Sequence, residues 1–343
     1  MSITILLVGI VFAVFLLALM YVVSLLWELP PLEMYLVAVL GAGFFIFIEY
    51  LIGPSIVGTT ARLRYLERGE NPWLEKTVSK LATKSGLPVP RLAVVDDDTP
   101  NAFVFGRMAK SATLAVHEGL LRHLSQGEVE GVIGHELGHL HHKDYLVMTA
   151  LAAVPLIAYL IARLSFDAVR YGRFRGRGKG AALTWITIIV AASFAYVAYV
   201  ITQLCVMGLS RLREHYADAY SAYLTGNPRS LESALTKITY GLSLSSKPPS
   251  GVRTFYIGDP ALAKDEFREI LFKKEEYDLD KDGVLDEREL ELAMEKEAKS
   301  TWVKVNTSFA THPPTYKRIL LLREIENEMA SGRFTSERIY EHV

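Results

Sequence analysis

Residues Ile3 to Trp27 contain no charged side chain. A helix of about 20 apolar residues is long enough to cross the hydrocarbon core of a bilayer. No basic residue precedes the run and no small-residue cleavage site follows it, so it reads as a retained span and not a signal peptide. A second run goes from Met34 to about Ile56, interrupted only by Glu49, a third from Tyr145 to Ile161, and a fourth, uncharged, from Ala181 to Ser210. Half of the 343 residues are apolar, more than a soluble globular chain carries. Four membrane spans are expected, with the lipid bilayer as a permanent partner.

The charges say which side faces the cytoplasm. The first connection, Glu28 to Glu33, has no Lys or Arg, whereas Arg62, Arg64 and Arg68 follow the second span. The positive-inside rule then puts the segment after span two on the cytoplasmic side of a multi-pass plasma-membrane protein. Arg163, Arg170, Arg173, Arg175, Arg177 and Lys179, between spans three and four, break the pattern: either that hairpin dips in without crossing, or its loop lies on lipid headgroups as an interfacial anchor, the preferred reading. Overall, 37 basic residues against 38 acidic ones exclude a nucleic-acid partner. The single cysteine, Cys205, sits in an apolar run and reads as a packed thiol.

An even number of spans separates residues 54–143 from residues 211–343, so these two soluble stretches share one side of the membrane. In the first, Asn71 to Lys84 has helical spacing. Three short extended runs follow, Leu92–Val95, Ala102–Phe105 and Thr113–Val116, with turn residues between them. A helix then begins at Ser125, where Glu128 three residues later makes a capping box.

That helix carries His135-Glu136-Leu137-Gly138-His139. Two histidines four residues apart project from one helical face and can reach one ion. Zinc suits neutral imidazole, and a catalytic site keeps one position open for water. Glu136, beside them, can take a proton from that water. After span four, Glu214 and Asp218 are again four apart. Glu214 would complete a His, His, Glu ligand set, and Asp218 can hydrogen-bond a ligand imidazole and fix its tautomer. The alternative is an ion-paired polar face with Arg211 and Arg213. His141 and His142 point away from the metal in helical phase and read as a solvated face.

With these residues in view, the chain resembles the HtpX-type membrane zinc metalloproteases and, more distantly, the CAAX prenyl endoproteases. The likeness runs through Pro100-Asn101-Ala102-Phe103, Gly119-Leu120-Leu121, the histidine motif continuing to Asp144, Arg213-Glu214-His215-Tyr216-Ala217-Asp218, and Thr311-His312-Pro313-Pro314 leading to Arg318. It implies an anchored endopeptidase that clears damaged or misassembled membrane proteins. It makes His312 and Arg318 candidates for polarising the scissile carbonyl or stabilising the oxyanion, with Tyr216 and Tyr220 left open for that role. Asp144 would orient His139 or cap the helix. Asn101, Ala102 and Phe103 would bind substrate as an added strand, unless Phe103 and Phe105 simply pack. Prenyl-protein endoproteolysis is disfavoured by the low span count.

One segment departs from the family pattern. Between Gly258 and Thr311, a charged insertion contains Asp278-Leu279-Asp280-Lys281-Asp282-Gly283-Val284-Leu285-Asp286-Glu287-Arg288-Glu289. This has the form of an EF-hand calcium loop: Asp278, Asp280 and Asp282 at the first three ligand places, the Val284 carbonyl next, then Asp286 and a closing Glu289, with Gly283 at the sharp turn. Helical runs Lys264–Tyr277 and Glu287–Lys299 flank it. One zinc and one calcium ion are therefore the expected cofactors.

Two other functions compete. A calcium sensor with an inert zinc site has no need of Glu136 as a base. Transport would rest on Glu49, which lies near a span end and has no charged partner. The expected architecture is mainly α: a four-span membrane part and an α+β zincin-like domain with a small antiparallel sheet. Its divisions are 1–56 (two spans), 57–143 (first part of the zincin domain), 144–210 (helical hairpin), 211–261 (second part), 262–300 (EF-hand-like insertion) and 301–343 (C-terminal part).

Overall fold

The computed structural model describes residues 31–171 and 179–244, and from Ile257 to Val343 a discontinuous set that includes 272–281, 287–297 and 310–335. The expected first span lies outside the described residues. Two compact units divide the chain. One takes in Leu146–Leu209 and the described residues up to Ile52; the other is Gly53–Tyr145 with Ser210–Val343.

In the first unit, α1 (Pro31–Thr60), α5 (Asp144–Tyr171) and α6 (Lys179–Thr225) supply the apolar helices, α1 and α6 running on into the second unit. Asp144–Arg163 and Ile188–Thr225, with mean hydropathies reaching 2.1 and 1.9, are long and apolar enough to cross a membrane; Ile46–Thr60 is a shorter apolar stretch. Within this unit Ala158, Ala162, Ala195 and Ala198 bring α5 and α6 together through small side chains.

The second unit is built on a four-stranded sheet in the order β1-β2-β4-β3, comprising β1 (Arg64–Tyr65), β2 (Arg91–Val95), β3 (Ala102–Phe105) and β4 (Thr113–His117). This corrects the antiparallel sheet expected from sequence: β2 and β4 pair in parallel, with Ala93 opposite Ala115. β1 and β3 are antiparallel edges. The reason is the order of the strands: β3 returns antiparallel on the far side of β4, which leaves β4 running the same way as β2 and beside it.

Helices α2 (Pro72–Lys84), α3 (Glu118–His123), α4 (Gln126–His141), α7 (Pro228–Leu244) and α10 (Thr315–Ala330) enclose one core that includes Leu74, Leu81, Leu114, Ile133, Leu137, Leu231 and Leu322. Asn71 caps α2 by accepting from the Leu74 amide. Ser125 and Glu128 make the reciprocal capping box on α4, so that helix starts where the sequence places it. Lys143, at φ +57°, turns the chain out of α4 and into α5. Between Ile257 and Ala310 the described residues include α8 (Lys274–Tyr277) and α9 (Glu287–Glu297) of the insertion.

Candidate metal-dependent active site

Two helices bring the site together, and glycines let them come close. A Cβ on Gly138 would lie 3.0 Å from the Ala217 Cα, and one on Gly134 would lie 2.8 Å from the Ser221 hydroxyl. The α4 backbone therefore rests directly on α6, the helix that carries Glu214 and Asp218. At that contact the His135 and His139 Nε2 atoms stand 3.1 Å apart. The Glu214 Oε1 lies 3.4 Å from the His139 Nε2, and its Oε2 lies 3.5 Å from the His135 Nε2. Tetrahedral ligands at the usual zinc–nitrogen length of about 2.0–2.1 Å sit roughly 3.3 Å from one another. The three donors fit such an ion, and among the described residues the buried Glu214 Oε2 accepts no hydrogen bond.

The other nitrogen of each imidazole is held by a carboxylate. The His135 Nδ1 lies 2.9 Å from Asp218, and the His139 Nδ1 lies 2.6 Å from Asp144. Both ring tautomers are thereby set to present Nε2 inward. Asp144 in turn pairs with the buried Arg213, whose guanidinium also donates to the His142 carbonyl at 2.8 Å. Burial lowers the Arg213 pKa to about 10.

Arg318 is 1% exposed and spends its donors on the protein. Its Nε and Nη2 donate to the two oxygens of Asp218 at 2.8 and 2.7 Å, and its Nη1 donates to the Ile257 carbonyl. Nη2 also lies 3.3 Å from His135, and Nη1 lies 3.4 Å from Glu214. Burial raises the carboxyls of Asp218 and Glu214, but nearby positive charge outweighs it and holds both ionised. Arg318 dominates at Asp218, and His312, His139 and Arg318 act at Glu214. His312 is buried, with Nε2 3.7 Å from Glu214 and Nδ1 3.0 Å from the Thr311 hydroxyl.

Glu136 is also buried, and desolvation pushes its carboxyl up despite the imidazoles beside it. Its Oε2 accepts the Val104 amide at 2.9 Å, which ties it to the outer edge of β3. Just before that strand the Asn101 side chain accepts the Ile257 amide at 3.0 Å, and on it Phe103 packs with Phe105 and Ala115 in a separate small core. Ala102 is buried, and Val104, which the sequence did not single out, faces the site with its N–H.

Several residues sit elsewhere than expected. Tyr216 and Tyr220, open as oxyanion candidates, join an aromatic cluster instead: Tyr220 stacks on His141 with ring centroids 4.4 Å apart, and Tyr216 packs on Tyr340. His142 is not a solvated residue, since its Nε2 lies 2.7 Å from the Tyr340 hydroxyl and burial and the charges of His141 and Arg213 lower its pKa to about 4. Away from this centre, carboxylate oxygens of Asp278, Asp280 and Glu289 lie within 4.8 Å of one another. Glu289 accepts the Leu279 amide at 2.6 Å. Asp282, Val284 and Asp286 lie outside the described residues.

Three donors at metal spacing, with a buried carboxylate beside them that coordinates nothing, suit the splitting of a bond by water, so the centre is that of a metal-dependent hydrolase. Comparison with known proteins narrows the class. The chain belongs to peptidase family M48, whose family model matches residues 68–326, and it is a metalloprotease. Among its relatives is a protease HtpX homolog of Methanothermobacter thermautotrophicus, 38% identical over 240 residues, which are 70% of this chain and 84% of that one. Another, from Thermococcus sibiricus, is 34% identical over 291 residues, 82% of this chain and 84% of the relative. The crystal structure of S. mikatae Ste24p aligns with 76% of this chain and 62% of its own at 21% identity and a TM-score of 0.45.

Proposed function

We propose that this protein is a membrane-embedded zinc endopeptidase that cleaves unfolded segments of damaged or misassembled membrane proteins on the cytoplasmic side of the plasma membrane. The observation that carries the reading is the convergence of the His135 and His139 Nε2 atoms with Glu214 at 3.1–3.5 Å. These three residues would hold zinc, which supplies Lewis acidity for attack by water on a peptide carbonyl at neutral pH.

The chain's own groups do the rest. Glu136, with its carboxyl raised by burial, takes the proton of the attacking water and returns it to the leaving amine. Asp218 and Asp144 keep the two imidazoles oriented, and Arg318 keeps Asp218 oriented. His312, buried with its Nε2 3.7 Å from Glu214, would donate to the carbonyl oxygen as charge develops there. The segment Asn101–Phe103, which leads into the edge strand β3, accepts substrate as an added strand, which binds backbone with little regard for side chains. In this reading residues 57–143, 211–261 and 301–343 build the peptidase, and 262–300 form an inserted helix–loop–helix.

Zinc-loaded protein in detergent should hydrolyse an unfolded membrane-protein substrate, lose that activity to a zinc chelator and regain it when zinc is restored. Activity that survives complete removal of zinc would refute the reading.

The loop from Asp278 to Glu289 completes the proposal as a calcium site that modulates activity. Its support is the spacing of the acidic residues and the approach of Asp278, Asp280 and Glu289. Calorimetric titration should give one calcium bound per chain, lost in Glu289→Gln, with peptidase activity differing between calcium and a calcium-selective chelator. Undiminished calcium binding by that variant would place the ion elsewhere.

A further inference from the structure

Helix α10 has two jobs on two faces. From one face Arg318 reaches Asp218, His135 and Glu214. From another, Ile319, with Tyr316 beside it, enters a second core made by the insertion: Phe267, Ile270, Tyr277, Leu290 and Ala293. Consecutive residues on an α-helix point about 100° apart, so Arg318 and Ile319 leave the same turn in different directions. Tyr316 and Ile319, three apart, share a face. The rest of α10 is fixed by Leu321, Leu322 and Ile325 in the main core.

We infer that the insertion is a positioning element for the active site: its apolar core holds Ile319, and through the rigid turn of α10 it sets where the Arg318 guanidinium meets Asp218. The inference rests on the peptidase reading of the site and does not depend on the cation reading of the loop. The chain of contact is short. Leu290 and Ala293 of α9 pack with Ile319; the next residue back, Arg318, makes the bidentate contact to Asp218; and Asp218 fixes the His135 ring. Packed helices move as units, so a loosened insertion core is felt at Arg318 as displacement or added motion. Residues that orient metal-binding imidazoles typically change metal affinity by about 10–100-fold when disturbed. Phe267 of the same core also meets Tyr240 of α7, with ring centroids 5.6 Å apart, so the insertion is seated on α7 as well as on α10, and α10 is the one of the two that carries Arg318.

The test compares Leu290→Ala with Leu292→Ala in the full-length protein. Leu290 is buried in the insertion core, whereas Leu292, on the same helix, is 40% exposed. Leu290→Ala should weaken zinc binding, read by chelator competition, by about tenfold, and should lower kcat without raising KM. Leu292→Ala and the volume-conserving Leu290→Ile should keep parental values. Ile319→Val, which trims one methylene on the α10 side of the same contact, is the gentler variant and should shift zinc affinity in the same direction by about two- to threefold. Parental zinc affinity in Leu290→Ala, together with faster hydrogen exchange across the insertion, would overturn the inference: the insertion would then pack on α10 without positioning anything. A parent that binds zinc but cleaves nothing would instead defeat the peptidase reading, and the zinc-affinity comparison would still decide this one.

Discussion

Replacing Glu136 with glutamine should leave zinc bound and reduce kcat by about 10²–10⁴-fold, the range that a positioned general base contributes. Glutamine keeps the length of the side chain, and its carbonyl oxygen can still accept the Val104 amide that Glu136 now holds at 2.9 Å. It cannot take a proton. The carboxylate sits in a buried place where desolvation raises its pKa, which brings it closer to the neutral range in which a base can both accept and return a proton. Metal analysis and a turnover assay on the same preparation separate the two effects. A zinc-loaded Glu136→Gln protein of parental activity would mean that another group activates the water.

The second large effect concerns Arg318. Arg318→Met removes one positive charge from a fully buried set and leaves Asp218 and Glu214 behind as buried anions. Breaking such a set from one side costs about 3–5 kcal/mol, because the remaining charges are desolvated and unpaired. The metal-free variant should therefore melt well below the parent and bind zinc more weakly. Zinc would recover part of the loss by neutralising Glu214. Asp218→Asn added to Arg318→Met should restore some stability, since it removes a stranded charge. A variant of parental stability and zinc affinity but reduced kcat would return Arg318 to the oxyanion role implied by family resemblance.

What the sequence showed of this fold depended on distance along the chain. The capping box at Ser125, the four-residue spacing of His135 and His139, and that of Glu214 and Asp218 are local patterns, and each stands in the structure as a helix with those residues on it. An antiparallel sheet follows only if each strand pairs with the one before it, and here one pair does not. β3 follows β2 along the chain yet pairs with β4, and the two-residue β1 is too short to leave a periodic signal. Longer links left no trace at all. Arg318 meets Asp218 across 100 residues, and Tyr340 meets His142 across 198, and nothing near either residue announces its partner. Val104 was missed for a different reason: it contributes a backbone N–H, which every residue but proline possesses.

The edge strand carries a consequence for the choice of substrate. On the proposed mode of binding, β3 offers amide and carbonyl groups, and a polypeptide can answer them only where its own are unoccupied. A segment already paired in a helix or sheet must first open, and the fraction of time it spends open falls tenfold for every 1.4 kcal/mol of local stability. The rate of cutting at any site then reports the opening free energy of the substrate around it. Damage would be recognised without a recognition motif: a lesion that loosens one helix by 2 or 3 kcal/mol would raise cleavage there by roughly 30- to 150-fold, while its intact neighbours go uncut.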